Sequence, residues 1–388
     1  MQNVAIIAGI RTPFGRAIKG AFQKTRPEDL GIEVTKQLLK TTGIAPDEVE
    51  DFIIGCAMPE GPQGLNMARA ILLGAGLPVE VPGMIVNRFC ASGLQSIAIL
   101  ADRISTGQMS LGISGGVESM SMVPMTGFAL SLNKTLVEQM PAIYIPMGIT
   151  AENVAKKFGI TRQEQDSFSL ESHMRAIAAQ KAGFFDGEIV PTKAIQFTVP
   201  GQKKETIVAM DECPREDTSL EKLAQLPLAF DKQGSVTAGN SSPLTDGAAL
   251  ALLMSAPLAA QKGLSPLGFF RSFVVSGVPP EIMGIGPVSA VNKLLLKTGL
   301  SMKDIDVVEL NEAFASQALY CARELKIPRE KLNPNGGAIA LGHPLGVSGT
   351  RMAITALREL KRRKGRYAIV TMCVGGGMGA AALLEAAY

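Results

Sequence analysis

The sequence predicts an α/β protein made of two similar halves around an insert. Strand-like apolar runs alternate with helix-like runs from the first residues onward, the pattern of a mostly parallel sheet with crossover helices. The chain also repeats itself. Gly43 and Gly299 stand 256 positions apart, and the same offset pairs Val49 with Ile305, Phe52 with Val308, and Cys90-Ala91-Ser92-Gly93 with Gly346-Val347-Ser348-Gly349. One offset holding at several separated anchors signals duplication. Finally, 388 residues with 46% hydrophobic and 19% charged side chains make a globular chain too long for one ordinary core.

Val4–Ala8 reads as a strand, Asp29 to Lys40 as a helix, Asp51–Gly55 as a strand and Asn66–Leu73 as a helix. Gly83-Met84-Ile85-Val86 predicts a short buried strand, followed by a helix over Leu94–Leu100. Cys90 sits at that junction, in Val86-Asn87-Arg88-Phe89-Cys90-Ala91-Ser92-Gly93. A thiol there faces free backbone N–H groups and the positive end of the helix dipole. That setting predicts a pKa below the ordinary ~8.5. The alternative is a buried cysteine acting as a small hydrophobe.

The halves span about 1–117, completed by about 245–265, and 266–388. The insert, 118–244, has a different character. It is rich in methionine (Met120, Met122, Met125, Met140, Met147) and carries Lys134, Lys156, Lys157, Lys203, Lys204 and Arg215. Its helical run, Arg162 to Ala182, opens with a Thr161 cap and Glu164 three residues on. Inserts of this kind often carry the substrate, and a surface excursion without a ligand is the alternative.

A nucleophilic thiol needs a base or cationic partner, and the chain has two histidines. His173, in the charged stretch Ser169–Arg175, reads as part of a solvated face. His343, in the Gly- and Pro-rich loop Asn335–Gly346, should approach the Cys90 turn by repeat symmetry. Asn311 follows the strand Asp306–Leu310, where its amide can serve an oxyanion directly or through water, or cap a helix. Ala368–Gly379 runs from strand to glycine-rich turn and brings a second thiol, Cys373, to a strand end. The GxGxxG spacing of a dinucleotide loop is not met there.

A net charge of +3 without a long basic block argues against nucleic acid; Lys361-Arg362-Arg363-Lys364 reads as a solvated helix end. Five widely spaced cysteines show no disulfide framework, which suits a reducing compartment. No metal site is expected. The longest apolar run, Ala248 to Ala260, is too short for a bilayer, which needs about 20 residues. With no basic-then-apolar leader, a cytoplasmic protein is expected, although a processed organellar chain would read the same.

Five stretches taken together resemble the thiolase family: Val86–Gly93, Gly115–Ser121, Asn311–Ala315, Asn335–Gly349 and Cys373–Gly379. The likeness covers nearly the whole chain. It implies a layered αβαβα fold of duplicated halves with an inserted loop domain that binds coenzyme A. It implies acyl transfer with coenzyme A and acyl-CoA as substrates and no metal or redox cofactor. Cys90 would take the acyl group, His343 would receive its proton, and Cys373 would move the proton at C2 of acetyl-CoA. Asn311, through water, and His343 would form one oxyanion hole; the Cys90 and Gly375 N–H groups would form the other. Met147, Arg215, Phe230, Ser242 and Phe314 would hold coenzyme A, with Met283 facing the acyl chain. Pro146 stands where biosynthetic acetoacetyl-CoA thiolases usually have histidine. That, with Val278–Met283 and Ala315–Ala318, points to the degradative 3-ketoacyl-CoA branch and fatty-acid β-oxidation. The biosynthetic branch is the alternative; a decarboxylating ketoacyl synthase or a non-catalytic acyl-CoA carrier fits less well. The resemblance also implies a homodimer or homotetramer, with room for a β-oxidation partner subunit.

Overall fold

The computed structural model describes residues 2–199 and 202–388. The side chains of 196–204, those of Lys203 and Lys204 included, lie outside the described residues. In the first half the chain runs through β1 (Val4–Arg11), β2 (Gly15–Arg16), α1 (Pro27–Thr42), β3 (Phe52–Gly55), α2 (Met67–Gly74), β4 (Gly83–Val86), α3 (Ser92–Ser105) and β5 (Leu111–Ser119). It then leaves through α4 (Lys134–Gln139), α5 (Met147–Phe158), α6 (Arg162–Lys181), the hairpin β6 (Thr192–Val199) and β7 (Gln202–Val208), and α7 (Leu220–Ala224). It returns as β8 (Thr245–Ser255) and α8 (Ala256–Gln261). The second half comprises β9 (Gly268–Gly277), α9 (Gly286–Thr298), β10 (Val307–Leu310), α10 (Ala315–Glu324), α11 (Ala338–Leu341), α12 (Ser348–Arg363), β11 (Tyr367–Val374) and β12 (Met378–Ala386).

Local chemistry explains the boundaries. Pro27 and Pro287 sit in the first turns of α1 and α9, where a missing N–H costs nothing. Both helices end on a left-handed glycine, Gly43 and Gly299, each with φ 69°. Thr161 and Glu164 close a capping box on α6. Buried Leu30, Val34 and Leu38 line one face of α1 at helical spacing. The apolar run at 248–260 belongs mostly to β8, which is buried along its entire length. The basic run at 361–364 does end a helix, but Arg362 and Arg363 pair with Glu359 there.

Among the described residues ten strands form one sheet in the order β10-β11-β12-β9-β1-β8-β5-β3-β4, with β2 beside β8. The duplication shows in this order. In the first half β4 and β5 flank β3 in parallel, and β8 and then β1 follow antiparallel. In the second half a parallel bridge at Leu332 and β11 flank β10, and β12 and then β9 follow antiparallel. The halves meet edge to edge, antiparallel, through Val4–Ile6 and Gly268–Phe270.

Alternation along the strands builds the layers. Val4, Ile6, Ile53, Val307 and Val370 face inward and share a core with Leu94 and Ile97 of α3 and Met352 and Ala356 of α12. Ala5, Ile7 and Ile54 face the opposite way and pack on α1 and α2. Val308, Leu310 and Ile369 pack on α9 and α10. The result is αβαβα, with α3 and α12 as the central layer.

One expectation needs correction. Gly83–Val86 is a strand, but it is an edge strand paired only with β3, and it is half-buried, with Met84 37% exposed.

The central helices approach too closely for side chains. A Cβ on Gly116 would stand 1.9 Å from the Gly346 carbonyl oxygen, and one on Gly93 would stand 2.5 Å from the same atom. Gly116→Ala is therefore expected to cost about 1–3 kcal/mol in urea unfolding. Gly277→Ala, where an added Cβ meets nothing within 4 Å, should stay within about 0.5 kcal/mol.

Candidate active site

Cys90 lies in the single 3-10 turn Phe89–Ala91 that leads into α3. The turn is tied locally. The Phe89 N–H donates to Asn87 Oδ1 at 2.8 Å, the Arg88 N–H to Ser92 Oγ at 2.9 Å, and Ser92 Oγ to the Phe89 carbonyl at 2.7 Å. These bonds hold Phe89 at φ 42°, a left-handed conformation that non-glycine residues rarely adopt. The backbone N–H groups of Gly375 and of Cys90 itself favour the Cys90 thiolate. Burial nevertheless dominates and pushes the thiol up to about 11, with Glu118 adding to the rise. The expected depression of this pKa is thus overturned: desolvation outweighs the helix dipole and the two N–H groups.

Asn311 and His343 meet. Asn311 Nδ2 lies 3.2 Å from His343 Nε2, and His343 Nδ1 lies 2.6 Å from Ser348 Oγ. Ser348 Oγ donates to the Pro344 carbonyl at 3.1 Å, so it accepts from Nδ1–H. That chain assigns the lone pair to Nε2, which accepts from the Asn311 amide N–H. Burial, with the Arg351 charge, pushes the His343 pKa down to about 3, leaving a neutral base at neutral pH. Asn311 is no helix cap, since α10 starts at Ala315 behind Phe314. Its N–H donates to the Thr371 carbonyl at 2.9 Å, and its Oδ1 is buried without a protein partner.

Cys373, at the end of β11, is fully buried against Met147, Ala151, Val236, Met283, Ala313 and Phe314. Burial first, and then the nearby Cys90, push its thiol well above the ordinary range. The turn from β11 to β12 needs glycines: Gly376 and Gly377 have φ 81° and 82°. A Cβ on Gly375 would meet the Phe89 ring at 3.5 Å and Met147 Sδ at 3.6 Å. The Phe230 ring meets Phe314 edge-on at 6.0 Å and is 44% exposed. The Ser242 N–H donates to the Ala313 carbonyl at 3.0 Å. Cys90, Cys373, Gly375, Met147, Met283, Phe314, Phe230 and Ser242 therefore form one neighbourhood, and Asn311 with His343 form a linked pair.

Arg215 takes part in none of these contacts. Its backbone N–H donates to His173 Nδ1 at 3.2 Å. This corrects the reading of His173 as part of a solvated face: it is 5% exposed, and burial, with Arg215 nearby, pushes its pKa down to about 4. Among the described residues no group of three or more His, Cys, Asp or Glu side chains is placed to hold a metal ion.

Three site-building residues were not singled out in the sequence. Glu118 accepts from the Ala57, Met58 and Gly346 N–H groups at 2.7, 3.3 and 2.8 Å and from Gln63 Nε2 at 2.9 Å. It thereby ties the turn after β3 to the turn before α12. Glu312 accepts from Ser172 Oγ, Asn333 Nδ2 and the Ile339 N–H at 2.6, 2.7 and 3.3 Å, joining the Asn311 segment to the loop that leads to His343. Ser348 fixes His343. The repeat offset pairs Ser348 with Ser92, and each serine clamps its own turn, so the repeat held the signal for Ser348.

Both histidines have folded-state pKa values below the ordinary 6.5. The unfolded chain then binds protons first, so stability is full above about pH 6.5 and falls as pH drops toward 4. Each histidine is expected to remove up to about 2–3 kcal/mol by pH 4.5. His173→Asn should blunt that loss, read by urea unfolding at pH 7 and pH 4.5.

Two family profiles match the chain: "Thiolase, N-terminal domain" over residues 4–257 and "Thiolase, C-terminal domain" over residues 264–386. The chain is 50% identical to the 3-ketoacyl-CoA thiolase of Bacillus subtilis, over 99% of this chain and 100% of that one. It is 46% identical to the human peroxisomal 3-ketoacyl-CoA thiolase, over 99% of this chain and 91% of that one. Among solved structures, the acetyl-CoA acetyltransferase of Bacillus anthracis superposes with a TM-score of 0.91 at 41% identity, covering 100% of this chain and 99% of that one. Human mitochondrial 3-ketoacyl-CoA thiolase gives 0.90 at 38%, covering 99% of each. The duplicated sheet, the paired thiols and these full-length matches lead to one assignment: the chain belongs to the thiolase family.

Proposed function

We propose that this acyltransferase cleaves 3-ketoacyl-CoA with coenzyme A, giving acetyl-CoA and an acyl-CoA two carbons shorter, through an acyl-Cys90 intermediate in fatty-acid degradation. The observation that carries the reading is the Gly375 turn set against the Cys90 turn, where a Cβ on Gly375 would meet the Phe89 ring at 3.5 Å and Met147 Sδ at 3.6 Å, with Cys373 packed against the same Met147, so that the Cys90 and Gly375 N–H groups are the donors nearest a Cys90 adduct. A tetrahedral oxyanion formed at a carbonyl attacked by Cys90 falls within reach of the same donors, and one such donor is worth about 3–4 kcal/mol.

Cys90 loses its proton to His343 Nε2 and attacks C3 of the substrate. The C2–C3 bond breaks, and its electron pair passes to C2 and the thioester oxygen as an enolate. Asn311, through a water, and His343 stabilise that oxygen. Cys373 gives its proton to C2, and acetyl-CoA leaves. The resulting Cys373 thiolate takes the proton of the incoming coenzyme A thiol, whose sulfur attacks the acyl-Cys90 carbonyl. Cys90 leaves as thiolate and recovers its proton from His343. A high Cys373 pKa suits this role, because the thiol stays protonated until a carbanion forms. A neutral resting pair at Cys90 and His343 keeps both uncharged until substrate arrives.

Met283 beside Cys373 supports an apolar contact with the acyl chain, and Phe314 with Phe230 against it supports the hold on coenzyme A. Pro146, just ahead of α5, supports the degradative over the biosynthetic branch. Coenzyme A and its thioesters act as substrates. A cytoplasmic location fits five free cysteines. A homodimer or homotetramer fits the half-exposed edge strand β4.

Intact-protein mass after incubation with acyl-CoAs of several lengths should rise by the matching acyl group. Cys90→Ala should show no gain and lose at least about 10³-fold in kcat. Cys373→Ala should still take up the acyl group yet fail in thiolysis; an unlabelled Cys373→Ala would refute this division of labour. Wild type should turn over longer 3-ketoacyl-CoAs as well as acetoacetyl-CoA, and activity on acetoacetyl-CoA alone would favour the biosynthetic branch.

A further inference from the structure

Arg215 stands on a footing built from distant parts of the chain. Asp211 accepts both terminal nitrogens of Arg11 at 2.7 and 2.9 Å and the Phe14 N–H at 2.7 Å. The Arg11 and Asp211 side chains are both fully buried. Glu212 then accepts the Arg16 and Ala21 N–H groups at 2.9 and 3.0 Å. Cys213 is buried. His173, from α6, completes the footing by accepting the Arg215 N–H.

The Arg215 side chain is in the opposite condition. It is 61% exposed, and its nearest acid, Asp217, is 64% exposed and 3.8 Å away. An exposed pair at that distance contributes little. A backbone fixed from below, under a guanidinium left without a firm partner, is what a binding group requires, because the ordering is done before the ligand arrives.

His173 also has a telling neighbour. Ser172, beside it on α6, donates to Glu312 and accepts the Gly337 N–H at 3.0 Å. Two consecutive side chains of one helix therefore hold the segments leading to Asn311 and His343 on one side and Arg215 on the other.

We propose that His173 is a positioning residue which, by accepting the Arg215 N–H, fixes the reach from the nucleotide phosphates of a CoA thioester to the reacting sulfur. The proposal rests on the reading, implied by the family resemblance, that Arg215 meets the nucleotide phosphates of coenzyme A. It separates the two ends of the ligand: loss of His173 weakens the hold on the nucleotide and leaves the acyl chemistry intact.

The test compares coenzyme A with pantetheine, which lacks the nucleotide, as acceptor thiols in the full-length enzyme. His173→Leu removes the acceptor and is expected to raise KM for coenzyme A about tenfold, with kcat and KM for pantetheine unchanged. His173→Asn, whose Oδ1 replaces Nδ1, should restore KM for coenzyme A. Arg215→Ala should raise the same KM, and adding His173→Leu to it should bring no further rise. Should His173→Leu not fold, His173→Gln takes its place, with its acceptor displaced by one methylene. The proposal is overturned if the His173 variant shifts KM for both thiols equally, or leaves KM for coenzyme A unchanged while Arg215→Ala raises it. If Arg215→Ala itself leaves that KM unchanged, the assignment of Arg215 to the phosphates fails. If wild type does not turn over 3-ketoacyl-CoA, the proposed function fails.

Discussion

Backbone meets backbone at the centre of this molecule, and the rest of the structure depends on that contact. Gly93 and Gly116 from one half and Gly346 from the other pack with no room for a Cβ. Glu118 bridges the same junction through three backbone N–H groups and Gln63. A carboxylate buried that deeply is costly unless its oxygens are satisfied. Here they are satisfied by donors from both halves, so the charge acts as a fastener between two turns that carry different chemistry. Duplication supplied two equivalent strand-to-helix turns, and close packing of α3 on α12 brought them together.

The site that results is electrically quiet at rest. Burial raises both thiols and lowers the imidazole, so each group keeps its uncharged form near neutral pH. Coulomb attraction between a thiolate and an imidazolium is strong where water is excluded. In the proposed mechanism, proton transfer from Cys90 to His343 creates two mutually supporting charges together. In the same proposal the Cys90 and Gly375 N–H groups serve the oxygen that develops charge next, and fixed donors lower a barrier without reorganising.

Much of this was legible before any coordinates. The 256-residue offset and the alternation of element types gave the duplicated α/β architecture, and the glycine-flanked Cys90, His343 and Cys373 stood out by location. What escaped was governed by burial, which a one-dimensional pattern reports poorly. His173 lies in a stretch dense with charges, yet the ring packs beneath the 211–217 segment. Gly83–Val86 reads as apolar, yet it lies at the sheet edge. The Cys90 pKa was misjudged because a helix dipole is visible in sequence and desolvation is not. Glu118 and Glu312 escaped for a related reason: a lone acid in a motif gives no sign that three other chain segments converge on it.

The position of β12 sets an order on how the protein comes into being. It lies inside the sheet, between β11 and β9, although it follows both of them along the chain. The second half can have no continuous hydrogen-bonded ladder until those residues emerge, and the hairpin that presents Cys373 closes only then. Cys90 is therefore made long before the β12 ladder that closes the hairpin beside Cys373 can form.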